Sequence, residues 1–82
     1  MRIPYFSIYD KKSLHYTPIW QAQTFGAAER AFNTAVNSDS NDYSKYPEDF
    51  DLFHVGNFDD ETGIFEPCTP QYIVSAIQLL KS

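Results

Sequence analysis

The side chains with an evident chemical use lie near the start of the chain. Tyr5 and Tyr9 stand four apart, Tyr16 and Trp20 four apart, and Lys11 and Lys12 fall between the two pairs. On strands, even spacing places a pair of rings on one face of a sheet. A flat ring on an open face stacks any base of a single strand, at about 1 to 3 kcal/mol per base, while ammonium groups beside it meet phosphates. Arg2 adds a cation to the same hairpin. The set Tyr5, Tyr9, Lys11, Lys12, Tyr16 and Trp20 is therefore a candidate surface for single-stranded DNA. The same rings serve equally well as a patch that a second copy of the chain covers, so the two readings compete for one surface.

Other chemistries find less support. The glycines stand at 26, 56 and 63, which makes no phosphate loop. His15 and His54 are the only imidazoles, and neither lies in a serine, cysteine or metal motif. Asn57, Asp59 and Glu61 alternate like the opening of a calcium loop. The sixth position of that loop would be Thr62 where glycine is needed, and the twelfth Cys68 where a bidentate glutamate is needed. Cys68 is the single cysteine, so no internal disulfide or multi-cysteine zinc site can form, and it reads as an idle thiol. The expectation is a protein with no enzymatic activity, no metal and no cofactor.

Eighty-two residues with 43% apolar and 17% aromatic side chains are enough for one folded domain, 1–82, with a single core. No apolar run reaches the ~18 residues of a membrane span, and no secretion signal opens the chain, so a soluble protein in the cytoplasm of the cell that makes it is expected. The net charge of -5 opposes generic nucleic-acid binding, whose affinity comes from cations replacing phosphate counterions. Its distribution softens the objection. Residues 1–38 carry four cations against two acids, +2, whereas residues 39–61 carry eight acids against Lys45, -7. A local cationic patch and a head-to-tail contact between copies are both compatible with that division.

The elements that must position these residues follow from periodicity. Ile3 to Asp10 alternates as a strand, Asp10-Lys11-Lys12-Ser13 turns, and Leu14 to Gln21 returns as a second strand. Pro18 places that strand at an edge or gives it a bulge. Thr24 caps a helix running to about Asn37, whose face is Ala28, Ala31, Phe32, Ala35 and Val36. Asn37 to Asp42 is a polar loop, and Tyr43 to Tyr46 has room for one helical turn before Pro47. Phe50 to Phe58 is a strand, Asp59 to Gly63 a turn closing on glycine, and Ile64 to Glu66 the return. Thr69-Pro70 then carries the signal of a helix start, with Ile73, Val74, Ala76, Ile77 and Leu80 as its face and Lys81 at its end. The predicted fold is α+β, a four-stranded mainly antiparallel sheet with two helices on one face in the order ββαββα. Strict alternation turns Phe6, Ile8, Ile19, Phe53 and Val55 toward the helices, and Tyr5, Tyr9, Tyr16, Trp20 and His54 away from them. That order is not the one of an RNA recognition motif, which places a helix between its first two strands.

The run Tyr46-Pro47-Glu48-Asp49-Phe50, with Leu52-Phe53, Val55-Gly56, Phe58-Asp59 and Thr62-Gly63, resembles the small nonstructural protein of gokushovirus-type microviruses. Ile8 to Lys12 and Tyr16 with Pro18-Ile19 extend the resemblance upstream. These are phages with circular single-stranded DNA genomes, and the resemblance implies DNA binding in support of genome replication or packaging in the host cytoplasm. It brings no binding or catalytic residue with it. The expected partners are single-stranded DNA and a second copy in a homodimer, with no membrane. The alternative is an oligomeric module that acts on phage or host replication proteins through its acidic surface, without touching DNA.

Overall fold

The computed structural model describes residues 1–39 and 41–81; Ser40, in the expected polar loop, and Ser82 lie outside the described residues. The elements in chain order are β1 Arg2–Asp10, β2 His15–Tyr16, β3 Trp20–Gln21, α1 Phe25–Val36, α2 Asp42–Lys45, a 3-10 turn Pro47–Asp49, β4 Phe50–Asp59, β5 Ile64–Ser75 and α3 Ala76–Leu79. All strand pairings are antiparallel: β1 lies between β4 on one side and β2 with β3 on the other, and β4 is flanked by β1 and β5. The α+β class and antiparallel sheet are as expected, whereas the strand count and element order differ.

The first difference lies in the return of the opening hairpin. A single strand from Leu14 to Gln21 was expected, and two short ones form instead, on either side of Pro18. The edge position predicted from Pro18 is seen, and a break accompanies it. Tyr9 pairs with Tyr16, but Phe6 pairs with Trp20, so one residue more is spent on the return than on β1. Thr17 spans the gap, its N–H donating to the Ile8 carbonyl and its Oγ1 accepting from the Ile8 N–H.

The second difference is the C-terminal helix expected from Thr69-Pro70. β5 runs through both residues to Ser75, and only Ala76–Leu79 is helical. Pro67 and Pro70 are tolerated because β5 is an edge strand, where a missing N–H need not break a central ladder. Burying Val74 beside Leu52 of β4 outweighs the local helix signal. The effective start signal sits further on, where the Gln78 side chain accepts from the Ser75 N–H at 3.2 Å.

The sheet's inner face carries Phe6 and Ile8 of β1, Phe50, Leu52 and His54 of β4, and Val74 of β5. Ala28, Phe32 and Val36 of α1 and Ala76 of α3 close over it, so the helices share one face. Helix α1 begins as predicted, with Thr24 Oγ1 accepting from the Ala27 N–H at 3.0 Å. Its far end is tied to the chain's end by Asn37, whose side chain donates to the Leu79 carbonyl and accepts from the Lys81 N–H.

The two hairpin turns are built alike. Asp10 and Asp59 each close a strand, and the carbonyl of each accepts from the N–H four residues on, that of Leu14 or Gly63. Both of those residues adopt a left-handed backbone, with φ 63° at Leu14 and 74° at Gly63. The Cβ of an L-residue is penalised there by about 1 to 2 kcal/mol and glycine loses ~0.5 to 1 kcal/mol more chain entropy on folding, so Leu14→Gly is expected to raise stability by up to about 1 kcal/mol. Gly56 makes the opposite case, because a Cβ there would lie 2.6 Å from Phe65 Cζ and 2.8 Å from the Glu66 carbonyl oxygen. Since the backbone cannot give way as a side-chain tip does, Gly56→Ala is expected to cost ~1 to 3 kcal/mol. Urea unfolding of both variants beside the parent measures the two shifts.

Candidate nucleic-acid interface

The sheet face opposite the helices carries an aromatic surface. Tyr9 of β1 and Tyr16 of β2 lie with ring centroids 4.6 Å apart, Phe53 of β4 meets them at 6.2 and 5.6 Å, and Tyr72 of β5 meets Phe53 at 6.0 Å. The four rings thus cross the sheet from edge to edge. Tyr16 and Tyr72 keep about half their surface open to solvent, 46% and 50%. Further along the same face Tyr5 packs edge-on against Phe58 and Phe65, over the space that Gly56 leaves open. Tyr5 and Tyr9 are about 13 Å apart along the strand at ~3.3 Å per residue.

Of the residues singled out from sequence, Tyr5, Tyr9 and Tyr16 stand on this face. Trp20 does not. The extra residue between Tyr16 and Trp20 turns the indole over, so that it packs on Phe6 with centroids 5.5 Å apart and lines a shallow groove with Ala31 and Ala35 of α1. His54, expected to face outward, is buried on the helix side between Phe6 and Phe25. Phe53, expected to face the helices, points the opposite way, and Ile19 is half exposed. The strand is apolar on both faces, so periodicity did not reveal its phase. Phe53 and Tyr72 are the members of the surface that sequence reasoning missed. Phe53 carried a signal, two places from Asp51 and opposite the run of Tyr5, Ser7 and Tyr9, but only with the register in hand.

The cations are less free than their number suggests. Lys11 Nζ lies 3.5 Å from Asp51 Oδ2, and Asp51 also accepts from Ser75 Oγ at 2.7 Å. Ser75 Oγ in turn meets the Tyr72 hydroxyl at 2.9 Å, so Lys11 and Tyr72 are linked through one buried carboxylate. Lys12 is exposed and shares a depression with the carboxylates of Asp10, Asp42 and Asp49. Arg2 lies at the other end of β1, paired with Glu66. Lys11 is therefore linked to the aromatic cluster, whereas Lys12 lies in the depression with Phe50 and α2, and Arg2 lies at the far end.

Asp59, Asp60 and Glu61 bring their carboxylates together at the second turn. The N-terminal ammonium already occupies that position, 2.8 Å from Asp60 and 2.9 Å from Glu61, which raises its own pKa. No helix among the described residues is long and apolar enough to cross a membrane.

The family model described as "Phage ORF5 protein" matches residues 3–79. The chain is also similar to Protein ORF5 of Chlamydia phage 1, 41% identical over 71 residues that span 82% of this chain and 74% of that protein. No solved structure matches.

The turn beside the cluster has a pH signature. The Lys12 amide, foremost, and that of Ser13 donate to Asp10, which holds the carboxyl below its ordinary 3.8. A carboxyl with a depressed folded pKa stabilises the fold above the ordinary value, and that contribution is lost as pH falls through the folded pKa. NMR titration should therefore show the Asp10 carboxyl protonating at lower pH than in the unfolded chain, with the Lys12 amide resonance moving in step. Titration at or above 3.8 would show that the turn does not hold Asp10 in this way.

Proposed function

The chain belongs to the phage ORF5 protein family, and from that premise we propose that it is a non-catalytic single-stranded DNA-binding protein that supports phage genome replication or packaging inside the host cell. The observation that carries the reading is the cluster of Tyr9, Tyr16, Phe53 and Tyr72 on the sheet face opposite the helices. Rings fixed against one another lose little freedom when a base stacks on them, and stacking does not depend on base identity. Tyr16 and Tyr72 offer the open edges for it, and Lys11 stands near them for phosphate. Tyr5, with Phe58 and Phe65, extends the path along the strand. Trp20 has no part in the contact, because it packs on Phe6 on the helix side.

Electrostatics keeps the affinity modest. Lys12 lines one depression with Asp10, Asp42 and Asp49, and Asp51 holds Lys11, so few phosphates are neutralised. The salt dependence should be shallow, near -0.7 in log K per phosphate contact on a single strand.

The same face favours a second reading, in which it is covered by another copy of the chain in a homodimer, because Tyr16 and Tyr72 leave an apolar patch open. Anisotropy of a labelled oligothymidylate separates the two, combined with sedimentation against a monomer mass of 9.5 kDa. Binding is expected at low salt, with Tyr16→Ala and Tyr72→Ala each weakening it about 5- to 100-fold, as loss of a base stack predicts. Lys11→Gln should make the salt slope shallower by about 0.7. A protein that sediments as a dimer and leaves the oligonucleotide free assigns the face to its own copy. One that stays monomeric and also leaves it free points to protein partners met through the acidic surface.

A further inference from the structure

We propose that Cys68, His54 and Asn57 form a base-assisted thiol site that undergoes exchange with small disulfides. The site lies on the helix side of the sheet and does not depend on the DNA reading.

The three residues are brought together by one irregularity. On β4, Gly56 pairs with Tyr5 and His54 with Phe6, which leaves Val55 as an extra residue against β1. In a regular strand residues three apart point to opposite faces, so His54 and Asn57 would never meet. The inserted residue reverses the phase, and His54 Nε2 lies 3.1 Å from Asn57 Oδ1. The partner strand is irregular at the same place. Gly56 pairs with Pro67 and His54 with Gln71, so Val55 alone faces Cys68, Thr69 and Pro70. That wide loop of β5 delivers Cys68 Sγ to within 3.8 Å of His54 Nδ1.

The hydrogen bonding sets the roles. Asn57 Oδ1 only accepts, so Nε2 carries the imidazole proton and Nδ1 presents its lone pair to the thiol. Phe25 and Phe6 hold the ring between them, with centroids at 4.7 and 5.6 Å. A nucleophile beside a base that is oriented by a third group is the arrangement that activates a weak nucleophile. The thiol also lies 3.7 Å from the His54 carbonyl oxygen, so its proton rests between two acceptors on one residue. Cys68 is exposed, and a small reagent can reach it from solvent.

The surroundings choose the electrophile. Acyl transfer needs N–H groups aimed at an oxyanion, and Pro67 and Pro70, on either side of Cys68 and Thr69, withhold two of the nearby amides. Disulfide exchange passes through no oxyanion. Cys68 sulfur attacks one sulfur of the disulfide, and its proton passes to His54 Nδ1. The sulfur–sulfur bond of the reagent breaks, and the departing thiolate takes the proton back from the imidazolium. One mixed disulfide forms and one thiol leaves, with no net change in the number of disulfides. Asn57 is a positioning residue, acting through His54.

The test is the rate at which 5,5′-dithiobis(2-nitrobenzoate) releases thionitrobenzoate, with mass spectrometry confirming one adduct on Cys68. The folded chain is expected to react at least about tenfold faster than the same chain unfolded in urea, the lower part of what a positioned base supplies. His54→Gln should remove that excess. Asn57→Leu should lower the rate several-fold while Asn57→Asp, which keeps an acceptor oxygen at the same place, restores it. If His54→Gln fails to fold, the comparison of folded with unfolded chain and the Asn57 pair still decide. A folded rate no higher than the unfolded one overturns the proposal, as does an Asn57→Leu rate equal to the parent's. An Asn57→Asp rate as low as that of Asn57→Leu gives Asn57 a purely structural part and likewise overturns the relay.

Discussion

The organisation of this sheet depends on the extra residue at Val55. Before it, Phe50, Leu52 and His54 point to the helices and Phe53 points away. Beyond it the phase is reversed, so Gly56 lies beneath the Phe65 ring on the same side as Tyr5. Without the insertion, β1 and β4 could match faces at only one end of their pairing, since a slip of one residue exchanges the two sides of a strand. With it, Tyr5, Ser7 and Tyr9 keep one uninterrupted face, with aromatic neighbours from β4 at both ends. Among the described residues no buried side-chain polar atom lacks a partner.

The parts legible in the sequence are those that local chemistry decides. Thr24 capping α1, the apolar stripe of Ala28, Phe32 and Val36, and Gly63 closing the second turn each follow from a residue type at a fixed offset. The misplaced parts all involve tertiary competition or a change of phase. Thr69-Pro70 is a sound helix start by itself, yet the free edge of β4 and the burial of Val74 drew the chain into β5. Trp20 departs from strict alternation because one additional residue around Pro18 turns it over, and His54 and Phe53 depart from it in a strand, Phe50 to Phe58, that is apolar on both faces. Periodicity shows that such a strand exists and is silent about which side is buried. Of the candidate site, Tyr5, Tyr9, Tyr16 and the lysines were within reach of the sequence. Phe53 and Tyr72 were not, because their membership depends on the register of β4 and on a strand in place of a helix.

Charge follows the same logic of fold over composition. Counted along the chain, the first hairpin is basic and the middle acidic. Folded, the two segments meet: Lys11 reaches Asp51, the Lys11 amide donates to the Asp49 carbonyl, and Asp42 and Asp49 stand around Lys12. The separation of sign in the sequence therefore becomes local neutralisation in space, and most of the apparent cationic patch is used within the chain. Such half-exposed pairs contribute little to stability, of order 1 kcal/mol or less. Their larger effect is on encounter, since a phosphate drawn to these lysines approaches a locally acidic stretch.

Both candidate surfaces derive from departures from regular β geometry, and they lie on opposite sides of the same strand. A regular β4 paired with a regular β5 would place His54 and Asn57 on different faces and leave Cys68 in line with its ladder. It would also break the row of rings that Tyr5 shares with Phe58 and Phe65. Irregular pairing costs ladder hydrogen bonds, and bulges concentrate where a side chain has to be re-aimed. Here the displaced groups are aromatic rings on one side and a cysteine, a histidine and an asparagine on the other. The insertion stands at the centre of the sheet, where β1, β4 and β5 all adjust to it, so one extra residue decides which side chains share each face.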